Sequence, residues 1–193
     1  MINYLANRSI YILIAVIFIL LSIFQMFVTK KRTNIFLLIS ALFIFSFFGI
    51  CKGQNVGLDT AGYSANYINC RNITDVKGFL MANKPEFLFF GIMYIFSNLL
   101  GLPEIVFYLF EYSFISFFLF LSFFKKENSV LKLSIMFFIG FFIMSYSGIR
   151  QTMAMSIMVF ATNILFYSTW NKKRKLITYY ALMLFATLFL ILL

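Results

Sequence analysis

The chain has 193 residues, of which 63% are hydrophobic, 21% aromatic and only 11% charged, with a formal net charge of +10. A soluble domain carries roughly 25% charged residues, and no water-facing surface accepts this much apolar side chain, so a soluble enzyme is excluded. The Lys and Arg residues sit in short clusters between apolar runs and not along one amphipathic face, so they read as topology signals and no nucleic-acid partner is expected.

The first apolar run, Ser9 to Val28, is long for the core of a signal peptide. It carries Gln25 and is followed by Thr29-Lys-Lys-Arg32 without small-residue cleavage chemistry, so it is expected to stay in the bilayer as a helix. Asn34 to Ile50 is the second run. A polar, glycine-broken island follows from Lys52 to Lys84, and after it comes the short apolar segment Glu86 to Leu100. Its apolar core makes roughly 21 Å of helix, against a bilayer core of about 30 Å. Glu104 to Phe124, Val130 to Tyr146, Gln151 to Trp170 and Leu176 to Leu193 are the remaining runs.

Charge decides the fate of residues 86–100. If they crossed, Lys30-Lys31-Arg32 would lie opposite Lys125-Lys126 and Lys172-Lys-Arg-Lys175; if they do not, all three basic clusters share one side, as the positive-inside rule asks. The segment is therefore expected to be an interfacial or re-entrant helix on the outer side, with Pro85 suiting its first turn and Gly101-Leu-Pro103 ending it. The fold class is then all-α: a polytopic membrane protein of about six transmembrane helices, one transmembrane domain over residues 1–193, with the amino terminus outside and an extracytoplasmic loop at about 52–103. Any chemistry faces away from the cytoplasm, out of reach of ATP and nucleotide-sugars.

Few polar residues are available for such chemistry. There are six acids and no histidine, which excludes histidine-based catalysis and weakens a zinc reading. Cys51 and Cys70 make no metal pattern, and structural thiols are favoured over a bridge. A short helix starting near Asp59 or Thr60 would place Asp59, Tyr63 and Tyr67 on one face, one carboxylate with two aromatic hydrogen-bonding surfaces; the plain alternative is that Asp59 only caps that helix. Arg150, in Ser147-Gly-Ile-Arg-Gln151, stands at the mouth of two spans, where a guanidinium suits phosphate or diphosphate; the plain alternative is an interfacial arginine that snorkels. Glu111 falls about two turns inside its span and shares a face with Glu104, so it faces either a wet cavity or a structural partner. Lys52 borders the island and is the lysine best placed for anion contact, whereas Glu86 at a helix start is open to a simple first-turn role.

In order along the chain stand Gly57-Leu-Asp59-Thr60 with Tyr63 and Tyr67, then Lys84-Pro-Glu86-Phe87, then Gly148-Ile-Arg150-Gln151 with Ala154. This succession resembles the EpsG-type polysaccharide polymerases, relatives of the Wzy O-antigen polymerases, over nearly the whole chain from about Asn3. The resemblance implies an extracytoplasmic glycosyltransferase in the bacterial cell membrane, joining undecaprenyl-diphosphate-linked oligosaccharide repeats into exopolysaccharide or capsule. With the reading of the residues above, Asp59, Glu86 and Arg150 are expected in catalysis and Tyr63, Tyr67, Lys52, Gln151 and Glu111 at the substrate, with other polysaccharide-assembly membrane proteins as partners. No cofactor is expected, a divalent metal at Asp59 being left open. Family members run considerably longer and carry a histidine soon after a stretch like Ala186-Thr-Leu-Phe189, where this chain has Leu190-Ile-Leu-Leu193, so a C-terminally truncated family member is expected. A flippase or transport component, or a non-catalytic partner of a larger polymerase, are the alternatives.

Overall fold

The computed structural model describes residues 2–27, 31–51, 60–82, 87–124, 126–138 and 148–192, and every regular element among them is helical. In chain order these are α1 (Ile2–Met26), α2 (Lys31–Ile50), α3 (Thr60–Cys70), α4 (Val76–Ala82), α5 (Phe87–Tyr94, continuing as a wide π-type turn over Ile95–Leu99), α6 (Glu104–Phe123), α7 (Ser129–Met136), α8 (Ile149–Tyr167) and α9 (Lys172–Leu192). Three stretches, Arg32–Ile50, Glu104–Phe123 and Ile149–Tyr167, have the length and apolar composition to cross a bilayer, with mean hydropathies of 2.2, 1.8 and 1.3. Ile12–Met26 and Leu88–Leu99 are shorter apolar helices.

These helices are apolar on both faces. In α2, Leu38, Ala41 and Phe45 are buried while Phe36, Phe43 and Phe47 are exposed. A helix of a soluble protein would turn charge outward at those positions, so the outer face fits lipid. With lipid tails as apolar as the core, burial alone does not hold such helices together; close packing and interhelical hydrogen bonds do. Gly49 of α2 lets the Tyr112 ring of α6 lie directly against the α2 backbone, in the space a Cβ would need, and Tyr112 packs edge-on to Phe45 at 5.5 Å. Ser46 and Ser116 join the same two helices at 2.7 Å.

Gln25 locks α1 to α7. Its Oε1 accepts from the backbone N–H groups of Val130 (2.9 Å) and Leu131 (3.4 Å), and its Nε2 donates to Ser129 Oγ at 3.2 Å. The first N–H groups of a helix have no partner within that helix, so a side chain from α1 supplies the cap that the left-handed Asn128 does not. Ser22 and Ser134 add a second link at 2.8 Å.

These contacts also set the direction of the bundle. Gln25, near the end of α1, meets the start of α7, and Lys126, just past α6, lies over Tyr167 at the end of α8. The ends of α1, α6 and α8, with Arg32, Lys126 and the Lys172–Lys175 cluster close to them in sequence, therefore gather at one end. The starts of α6 and α8 both touch α3 through Glu104 and Arg150, at the other end. A twenty-residue helix is about 30 Å long, so the two ends lie roughly a bilayer apart.

Most element boundaries follow the sequence expectation, α3 starting at Thr60 among them. The segment expected at 86–100 is helical from Phe87 to Leu99, about 20 Å at 1.5 Å per residue. The island is less irregular than expected, for it includes α4, whose first turn is capped by Asp75 Oδ1 accepting from Gly78 N–H at 2.9 Å. The expected span Val130 to Tyr146 is described as helix from Ser129, and its later residues 139–146 lie outside the described residues. Cys51 is exposed and Cys70 buried, both as free thiols.

Candidate functional site

Arg150 occupies the first turn of α8, directly after Gly148 and Ile149. Its Nε donates to the Tyr63 hydroxyl at 3.1 Å, and its guanidinium carbon lies 5.6 Å from the Tyr63 ring centre and 5.5 Å from that of Phe89. The two rings meet edge to face at 5.3 Å. Three segments distant in sequence, α3, α5 and α8, thus converge on one cation. A guanidinium within about 6 Å of ring centres gains cation–π stabilisation, and its fixed fork of donors holds the Tyr63 hydroxyl at the same time, which the flexible lysine ammonium does not reproduce.

The next residue of α3 faces a carboxylate. Ser64 Oγ donates to Glu104 Oε1 in the first turn of α6, and it lies 3.4 Å from the Tyr108 hydroxyl. Consecutive residues of one helix therefore touch Arg150 on one side and Glu104 on the other. An acid in a first turn agrees with the helix dipole, whereas a cation in a first turn runs against it. The first turn of α8 thus carries a cation where the helix dipole favours negative charge.

α3 is held rigidly from behind. Tyr67, 2% exposed, donates its hydroxyl to the Leu102 carbonyl at 2.9 Å, and Arg71 Nη2 donates to the same oxygen at 3.0 Å. Gly101, with φ +59, makes the left-handed turn that precedes this carbonyl, a conformation in which a Cβ is strained. Asn98 Nδ2, in the π-type turn, reaches the carbonyls of Cys70 (3.2 Å), Arg71 (3.0 Å) and Ile73 (3.2 Å), so the orphan acceptors at the end of α3 find a donor. Burial raises the Tyr67 hydroxyl above its ordinary pKa, and it pushes the Cys70 thiol up to about 11, keeping it protonated and inert at neutral pH.

Of the residues singled out from the sequence, the structure brings Tyr63 and Arg150 into contact and places Tyr67 on the same buried side of α3, against Phe107 at 5.5 Å. Gln151 is half-buried next to Arg150, its Oε1 without a hydrogen bond among the described residues. Glu111 is buried, 1% exposed, inside the α6 span. Lys52, Asp59 and Glu86 lie outside the described residues, and with them the proposed metal position. Among the described residues no cluster of three or more histidine, cysteine or acidic side chains is placed to hold a metal ion. Sequence reasoning did not single out Ser64, Tyr108, Phe89 or Asn98 and considered Glu104 only beside Glu111; a first-turn acid level with Arg150 was the signal available.

The arrangement is that of a helical membrane protein carrying a polar, aromatic-walled site at one end of its bundle and its basic turns at the other. The sequence profile of the EpsG family matches residues 34–189, most of the chain, and the protein belongs to that family. No curated protein and no solved structure matches it significantly.

Proposed function

We propose that this EpsG-family chain is a polysaccharide polymerase, an extracytoplasmic glycosyltransferase that joins undecaprenyl-diphosphate-linked oligosaccharide repeats during exopolysaccharide or capsule assembly in the bacterial cell membrane. The observation that carries the reading is the seating of Arg150 on Tyr63 and Phe89. A guanidinium held in place by buried rings where a helix bundle meets water suits the diphosphate of a lipid-linked sugar. In this reading the chain crosses the bilayer six times, with its amino terminus and the helix 87–99 on the outer side.

The reaction breaks the bond between the anomeric carbon and a diphosphate oxygen as an acceptor hydroxyl forms a new bond to that carbon. Negative charge grows on the departing diphosphate, so Arg150, helped by Lys52, stabilises it there, and this is the main way in which the protein lowers the barrier. Asp59 or Glu86 takes the hydroxyl proton as general base. Tyr63 orients Arg150 through its hydroxyl, Gln151 offers the sugar a hydrogen bond, and Tyr67 holds α3 in place through Leu102. Glu111 lies within the span beneath the site. A transport role is the second reading, favoured by that buried carboxyl, and it would show as movement of lipid-linked sugar across vesicles without a new linkage.

The test is polymer length in the producing cell. Loss of a transition-state donor costs on the order of 10²–10³ in rate, so Arg150→Ala should leave mostly single lipid-linked repeats, and Arg150→Lys should recover little. Normal chain length from Arg150→Ala at normal membrane abundance would refute the proposal.

A further inference from the structure

At the opposite end of the bundle a cavity of about 380 Å³ lies between the last turns of α6 and α8. Phe124, Phe160 and Ile164 give it an apolar floor, and Lys126, Tyr167 and Trp170 line its rim. The Lys126 ammonium sits 3.4 Å from the centre of the Tyr167 ring, and the Arg174 guanidinium covers Trp170 at 4.3 Å. Neither cation forms an ion pair among the described residues, and Glu127, the acid next to Lys126 in sequence, is exposed. Part burial, with repulsion from Lys132, pushes the Lys126 ammonium below its ordinary pKa, so an anion here would relieve an unfavourable charge.

We propose that this cavity is a binding site for an anionic phospholipid of the membrane leaflet into which the basic turns face, its phosphate between Lys126 and Arg174 and its glycerol and upper acyl carbons on the apolar floor. Three features select a lipid over a soluble anion. The cavity opens where two bilayer-length helices end, which is headgroup depth. Tyr167 and Trp170 at its rim are the residue types that gather at that depth. Ser122, Asn163, Ser168 and Thr169 also line the cavity, but a free phosphate would leave its apolar floor uncovered, whereas basic pockets between transmembrane helices suit phosphate headgroups carrying acyl chains. The site is separated from Arg150 by the length of α8 and does not depend on the polymerase reading.

Trp170 is the only tryptophan in the chain, so its fluorescence reports the cavity directly. The full chain is reconstituted in phosphatidylcholine vesicles with a minor fraction of either phosphatidylglycerol or phosphatidylcholine bearing dibrominated acyl chains, at fixed ionic strength. Brominated phosphatidylglycerol should quench with an apparent preference of about fivefold for each cation engaged, the size expected of a basic residue at an anionic membrane surface. Lys126→Gln and Arg174→Gln should each reduce the preference, Lys126→Arg should keep it, and Arg32→Gln, which removes a basic charge at the same end away from the cavity, should leave it unchanged. Equal quenching by the two lipids, or an unaltered preference in Lys126→Gln, would overturn the proposal. Relief of the difference by millimolar inorganic phosphate would overturn the lipid as the ligand and assign the site to a free anion.

Discussion

Tyr63→Phe isolates one atom of the proposed site. The substitution leaves the ring beneath the Arg150 guanidinium and against Phe89, and it removes the hydroxyl that accepts from Arg150 Nε at 3.1 Å. A hydrogen bond to a charged group contributes roughly 1.5–3 kcal/mol net, equivalent to about 10- to 100-fold in a rate or an equilibrium. Tyr63 is 6% exposed, so water replaces the lost oxygen poorly, but Arg150 is only half-buried, which favours the lower half of that range. The expected outcome is a drop of about tenfold in polymerisation with little change in membrane abundance, because the ring burial that holds α3 is retained. The discriminating assay is a double-mutant cycle on polymer length with Tyr63→Phe, Arg150→Ala and the pair. If the hydroxyl acts by orienting Arg150, Tyr63→Phe has almost no further effect once Arg150 is alanine. Full additivity of the two losses would refute the reasoning, since it would mean that the hydroxyl and the guanidinium work separately.

Other outcomes follow from the same contacts. Gly49→Ala drives a methyl group into the Tyr112 ring, and overpacking of this kind costs about 1–3 kcal/mol, to be read as a lower thermal midpoint in detergent. Asn98→Leu removes the donor to the Arg71 and Ile73 carbonyls beyond α3, while Cys70 O still accepts from Ile73 N–H at 3.4 Å; a loss of about 0.5–1.5 kcal/mol is expected, with faster tryptic cleavage at the exposed Arg71 and Lys77. Gly101→Ala strains a left-handed turn by about 1 kcal/mol and should weaken the Tyr67 and Arg71 bonds to Leu102, seen as the same increase in cleavage. With its thiol at about 11 in place of 9.0, Cys70 holds about a hundredfold less thiolate at neutral pH than an ordinary thiol, so maleimide should label Cys51 alone until the fold opens. The sign follows from the shift: the folded chain keeps the Cys70 proton that the unfolded chain releases, so this thiol lowers stability as pH rises from 9.0 towards about 11.

The helix positions were largely legible in the sequence because the length of an apolar run is a one-dimensional property; among the described residues three of the expected spans have the length and apolar composition to cross. The expected run Glu104 to Phe124 is α6, Glu104–Phe123, and the run Gln151 to Trp170 is α8, Ile149–Tyr167, each shifted by a few residues at most. The end shared by the basic turns was legible too, since the positive-inside rule needs only charge and order. Pairing was not. Tyr63 and Arg150 each carry chemistry in the sequence, but eighty-seven positions separate them, and only the packing of α3 across the starts of α6 and α8 joins them. Phe89 is one of several phenylalanines in a short apolar segment, and nothing local marks it as the second ring beside a guanidinium. Asn98 and Gln25 look like polar interruptions of apolar runs; their value lies in capping other helices, which depends on tertiary placement. Asp59, Glu86 and Lys52 stay expectations of the sequence and its family.

The central claim is that α3 and Arg150 meet on the outer side of the membrane while the basic turns face the cytoplasm. Membrane-impermeant maleimide applied to intact cells tests it most directly, with Cys51→Ser as background and single cysteines at exposed positions, Ala61→Cys on α3 and Asn128→Cys in the turn before α7. The account expects Ala61→Cys to be labelled in intact cells and Asn128→Cys only after the membrane is opened; labelling of both from the same side, or the reverse pattern, would contradict it.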